Sequence, residues 1–206
     1  MSEYAPPPVP EVDLSPENLH RLMLGQPIGP RPYLPGKEDA VRRRMETIAT
    51  NLRNFNDREC RVAVYPWDHF NGEPYSTLFC TYADDRTAER KYVGTSEECI
   101  ARRGIALLLS HTAPLAALQG ADMSIRVADA RFTGLSTFGP DGVEKFHEPP
   151  PPPYGWTPLV ARIRHVLRPF VHTLSREAAL APLPFKSRNH PPKHNGCVFD
   201  AVFPED

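Results

Sequence analysis

Proline placement sets the limits on this chain. There are 25 prolines among 206 residues, about twice the usual share. Residues 1–36 hold nine, 37–147 hold four and 148–206 hold twelve. Proline lacks an amide hydrogen and clashes with the preceding turn, so it interrupts helices and sheet ladders. The proline-poor stretch is therefore the expected core. The chain divides into a Pro-rich N-terminal arm with a short helix (1–36), an α+β core (37–147), a polyproline linker (148–156), an amphipathic basic helix (157–180) and a C-terminal tail (181–206).

Within the arm, Ser15 can cap a helix that opens at Pro16 and ends at Gly25. In the core, Val41, Met45, Ile48, Leu52 and Phe55 fall on one stripe at helical spacing, which predicts a helix over 37–55. Cys60–Tyr65, stopping at Pro66, Tyr75–Ala83 and Glu89–Val93 read as strands. Thr95 and Glu98 have the spacing of a capping box, and the apolar run that follows predicts a second core helix to about Ser110, broken by Pro114. Leu115–Leu118 reads as one further turn and Met123–Phe132 as a strand. Gly139-Pro140-Asp141-Gly142 is a hairpin turn between Ser136–Phe138 and Val143–Phe146. The fold class expected is α+β, a mainly antiparallel sheet with two core helices, a Pro-rich N-terminal arm and a C-terminal amphipathic helix.

Composition excludes several functions. The 24 Lys+Arg and 25 Asp+Glu nearly cancel, which argues against coating nucleic acid with the whole surface. The longest apolar run, Ile105–Leu109, is far short of the roughly 20 residues of a membrane span. Met1-Ser2-Glu3-Tyr4 lacks the basic and apolar regions of a signal peptide. The four cysteines contain no CxxC, and an intracellular, cytoplasmic setting is expected.

Motifs for phosphate loops, zinc proteases, serine hydrolases and calcium loops are missing, and nothing calls for a cofactor. A Cys80–His69 pair would suit thiol catalysis, although a strand cysteine commonly serves as a small hydrophobe. Ser110-His111 is a weaker pair, since adjacent residues on the expected helix diverge. An enzyme of unrecognised family would have to bring Asp68, His69, Tyr82 and His111 into one concave site. His190, His194 and Cys197 have spacing that allows a zinc ion, with His172 or Asp200 as a fourth ligand. A plain histidine-containing tail is the competing reading.

Two segments point to binding. Pro151-Pro152-Pro153-Tyr154 matches PPxY, the motif bound by WW domains. Its pre-extended backbone loses little entropy on docking, and the tyrosine fills a separate pocket. A spacer with Tyr154 and Trp156 packed on the core is the alternative. The helix expected after it places Leu159, Ile163, Val166, Leu167, Phe170 and Leu174 on one face and Arg162, His165, Arg168, His172 and Arg176 on the other. From Thr157 to His194 there are seven Lys+Arg and one acid, which suits nucleic-acid phosphates or an anionic membrane. An ordinary docked helix with a wet basic side would look the same. A basic surface joined to a PPxY string resembles viral matrix-type proteins in motif and size alone. The leading expectation is a non-enzymatic adaptor displaying the PPxY peptide from its core. Binding of nucleic acid or an anionic membrane through 157–194 is the second.

Overall fold

A computed structural model describes residues 9–34, 38–54, 61–67, 74–83, 88–93, 97–126, 132–137, 156–185 and 196–204. The fold is α+β, as expected. The strands are β1 (Val62–Trp67), β2 (Tyr75–Tyr82), β3 (Ala88–Val93), β4 (Glu97–Ser110), β5 (Leu115–Arg126), β6 (Phe132–Thr137) and β7 (His172–Thr173). The helices are α1 (Pro16–Met23), α2 (Glu38–Asn54), α3 (Thr157–Leu167), α4 (Arg176–Leu180) and α5 (Val198–Val202). The strands form one sheet in the order β1-β2-β4-β5-β6, with β3 paired to β4 and β7 paired to β5. Among the described strands only the β5–β7 pair is parallel.

The long β4–β5 hairpin is the spine of the sheet. One edge of β4 is shared, with β3 on Glu97–Arg102 and β2 on Ile105–Ser110. Gly104 lies at the changeover. A Cβ there would stand 2.5 Å from the Cys80 carbonyl oxygen and 2.5 Å from Phe79 Cζ. Only glycine lets the Phe79 ring lie across β4 this closely.

Alternation along the strands divides the interior into two layers. On one face, Leu78, Cys80, Ile105, Leu107 and Leu109 pack with Ile48 and Leu52 of α2 and with Leu159 and Ile163 of α3. On the other, Phe79, Ala106, Leu108, Leu115 and Met123 pack with Leu19 and Leu22 of α1 and with Phe199, Val202 and Phe203 in and beside α5. The sheet is thus covered on both sides. Arg53 of α2 donates to the Val64 carbonyl at 2.8 Å, fastening that helix to β1. No helix among the described residues is long and apolar enough to cross a membrane.

Several expectations are corrected. The second core helix is strand β4. Its run Ile105–Leu109 is apolar without interruption because both faces of a central strand are buried, and Glu97 and Glu98 pair with Val93 and Tyr92 instead of capping a helix. The turn expected at Leu115–Leu118 is the start of β5. β1 runs through Pro66 to Trp67; it lies at the edge of the sheet, where a missing amide hydrogen costs no ladder bond. The helix expected over 157–180 stops at Leu167. The amides of Phe170 and Val171 both donate to the Leu167 carbonyl, at 2.8 and 3.0 Å, and the chain turns into β7 and then α4. Pro169 breaks the helix rather than bending it.

The interior is not confined to 37–147. α1, α3 and α5 lie outside that span and supply buried side chains to both layers. Residues 181–206 are not a simple tail, since Cys197, Val198, Phe199, Ala201, Val202 and Phe203 are buried. The arm also has anchors: Val9, Val12 and Ile28 are buried. α1 does open at Pro16, and Gly25, at φ +68°, follows its end. The turn at Asp84–Arg86 and the hairpin around Gly139–Gly142 lie outside the described residues.

Candidate functional site

The break after α3 creates the principal concavity that carries charge. Where α3 stops, Arg164 and Arg168 lie one turn apart on the same helix face. The chain then passes Pro169 and pairs His172 and Thr173 beside Leu115 and Ala116 of β5. This brings Arg164, Arg168 and His172 onto one cavity of about 280 Å³, together with the hydroxyl residues Thr173 and Ser175. Val9, Val171 and Leu174 complete its apolar wall. No carboxylate lines it among the described residues; Glu177 is exposed on α4 and outside the lining.

The backbone around the cavity is held at each turn. His172 donates its amide to Pro114 O at 2.8 Å and Leu174 to Ala116 O at 2.9 Å. Val9 donates its amide to the Arg168 carbonyl at 3.1 Å, so the N-terminal segment forms one side. Ser175 Oγ accepts the Ala178 amide at 3.1 Å, capping α4. Having accepted there, the Ser175 hydroxyl still has its own proton to donate.

Opposing terms can be weighed. The C-terminal end of α3 carries the negative pole of its dipole, which disfavours an anion by about 0.3–1 kcal/mol. A charge-assisted hydrogen bond contributes about 1.5–3 kcal/mol. Two guanidinium groups on one anion therefore outweigh the dipole.

Of the five basic residues expected to share a face, Arg168 and His172 line this cavity. Arg162 does not belong to an outer stripe: it is 6 % exposed, on the buried side of α3 with Ile163 and Val166. His165 is exposed on α3, and Arg176 is exposed on α4, beyond the break. No continuous basic stripe runs over 157–180. Arg164 was not among the expected residues. Its four-residue spacing from Arg168 was the available signal, hidden by the assumption of one long helix.

The PPxY residues Pro151, Pro152, Pro153 and Tyr154 lie outside the described residues. Trp156, which follows, is buried and packs against Tyr82, with ring centroids 5.6 Å apart. Of the zinc candidates, His190 and His194 also lie outside. Cys197 is buried at the start of α5, its thiol 3.6 Å from Asp200 Oδ2, and burial pushes the thiol pKa up. No group of three or more metal-ligating side chains occurs among the described residues.

The thiol and serine pairs also resolve. Cys80 is fully buried, and desolvation pushes its pKa up to about 12. It is a core side chain, not a thiolate nucleophile; Asp68 and His69 lie outside the described residues. His111 meets Ser76 rather than Ser110, with Ser76 Oγ and His111 Nε2 2.6 Å apart. Ser76 is only 5 % exposed, and the contact pins the first turn after β4 to the start of β2. Tyr82 and His111 stand at opposite ends of β2, because Tyr82 pairs with Val62 while the His111 amide bonds Pro74 O. Over that strand they are separated by roughly 20 Å, at about 3.3 Å per residue.

No protein-family model, curated protein or solved structure shows a significant match to this chain.

Proposed function

We propose that this is a non-enzymatic binding protein that takes an anionic group of its partner into the basic cavity at the end of α3. One observation carries the reading: Arg164, Arg168 and His172 converge on a cavity with two hydroxyl residues and no lining carboxylate among the described residues. A surface helix that merely keeps its cations in water would spread them; here the helix break gathers them. The sequence expectation of anion binding through 157–194 is thereby narrowed from an extended stripe to a compact site.

The test is a titration of the full chain with small anions at low and high salt. Arg168→Ala should weaken binding by about 10- to 100-fold, the loss of one charge-assisted contact of ~1.5–3 kcal/mol. Binding that is unchanged in both Arg164→Ala and Arg168→Ala would refute this assignment.

A second reading rests on sequence alone. Pro151–Tyr154 would serve as a docking peptide for a WW domain, and Trp156 would anchor its C-terminal end to the sheet. A WW-domain panel with Tyr154→Ala as control decides it. Micromolar binding lost in the control supports the adaptor role, and no binding by any domain removes it.

A further inference from the structure

We infer that the ligand of this cavity is a small phosphate monoester with an apolar substituent, and that the N-terminal segment at Val9 forms part of its site. The inference rests on the anion-binding reading above and adds the ligand class.

The donor set favours phosphate over carboxylate. Two guanidinium groups, an imidazole and two hydroxyl residues surround the space. A carboxylate offers two oxygens, whereas a phosphate monoester offers three terminal oxygens spread over a tetrahedral face. Arg164 and Arg168 approach from a helix, and Thr173 and Ser175 come from the segment that pairs with and follows β5. Donors on two sides suit a tetrahedral anion better than a planar one. Ser175 already accepts the Ala178 amide at 3.1 Å, so in the cavity its hydroxyl acts as a donor.

The size favours a small molecule. At about 280 Å³ the cavity lies at the lower end of ordinary ligand sites. A nucleic-acid strand would need an open groove that tracks its backbone, and the buried Arg162 and the break at Pro169 interrupt the track here. The wall opposite the cations is apolar. Val9, Val171 and Leu174 are all buried, and they give a hydrocarbon or aromatic substituent somewhere to lie. Val9 reaches this place from the far end of the chain, held by its amide on Arg168 O at 3.1 Å. Arm and helix end therefore make the site together.

The experiment is calorimetric titration of the full chain at low salt with inorganic phosphate, phenyl phosphate, benzoate, a single-stranded RNA oligonucleotide and anionic phospholipid vesicles. Phenyl phosphate should bind about tenfold tighter than phosphate, through the apolar area it buries, and benzoate should bind more weakly than both. Val9→Ala should shrink the advantage of phenyl phosphate and leave phosphate unchanged. Arg168→Ala should weaken both, and Arg168→Lys, with a melting curve matching the parent, should restore only part. Equal binding of phosphate and phenyl phosphate would overturn the apolar substituent. Benzoate as tight as phenyl phosphate would overturn the phosphate class while leaving an anion site. RNA or vesicles binding tighter than phenyl phosphate would overturn the small-molecule assignment. Failure of all five probes would overturn the anion site itself.

Discussion

Replacing Gly104 with alanine tests the closest approach in the sheet. The added Cβ would meet Cys80 O and Phe79 Cζ at 2.5 Å each, and Phe79 Cε1 at 2.9 Å. Comfortable contacts between such atoms lie near 3.5–4 Å, so roughly 1 Å of movement is required. The Phe79 ring is fully buried among the α1 and α5 side chains and has little room to retreat. The carbonyl belongs to Cys80, which pairs with Ile105, so moving it spreads the β2–β4 ladder. Overpacking of this kind costs about 1–3 kcal/mol, and involvement of backbone puts this case at the upper end. Alanine recovers ~0.5–1 kcal/mol of the strand entropy that glycine forfeits. The net expectation is a loss of about 2 kcal/mol, or a fall in Tm of roughly 4–8 °C for a chain of this size. Circular dichroism melts read it directly. Phe79→Leu in the same background should restore part of the loss, since the two changes share one contact. A Gly104→Ala melt within 2 °C of the parent, a margin set by ~2–4 °C per kcal/mol, would refute the close packing of β2 on β4.

Three further outcomes follow from named contacts. Phe199→Ala should cost about 3–5 kcal/mol in urea unfolding, because Phe199 is buried against Phe203 at 5.1 Å; a loss below ~1 kcal/mol would place α5 outside the core. Cys80 should resist alkylation in the native state. Its thiol, raised by burial from 9.0 to about 12, also makes stability fall with alkali: the unfolded thiol ionises first, so the contribution is whole below pH 9 and is lost as pH rises towards 12. Native labelling of Cys80 at pH 8, or a greater alkaline loss in Cys80→Ala than in the parent, would contradict this. Arg44→Met should leave stability unchanged or raise it by up to about 1 kcal/mol, since Arg44 Nη1 is buried without a hydrogen-bond partner and only Nη2 bonds, to Leu34 O at 3.2 Å. A loss above ~1 kcal/mol in a denaturant series would show that the Leu34 contact dominates.

The sequence conveyed local elements well and their assembly poorly. Val41, Met45, Ile48 and Leu52 marked α2 because a helix with one buried face leaves a clear period. Tyr75–Ala83 marked β2 by its aromatic and β-branched content. β4 was misread because Ile105–Leu109, buried on both sides, has no period to separate strand from helix; the Thr95–Glu98 spacing then tipped the reading the wrong way. The C-terminal core was missed because proline was weighed above hydrophobicity. Val198, Phe199, Val202 and Phe203 already had helical spacing within a Pro-rich third of the chain. The cavity was half legible. Arg168 and His172 were marked as cations, but their convergence with Arg164 depends on where the helix ends, and Val9 could not be placed beside them from composition or period.

Sharing the second face of the sheet between α1 and α5 has a consequence for synthesis. The two helices come from opposite ends of the described chain and pack against each other. When β4 and β5 leave the ribosome, α1 can cover only its own part of that face. Phe199, Val202 and Phe203 follow β4 by roughly 90 residues, which at ~5–20 residues per second is a delay of several seconds. During that interval Leu108, Leu115 and Met123 lack part of their lid, and a nascent chain in that state is a natural client for chaperones that bind exposed apolar strands.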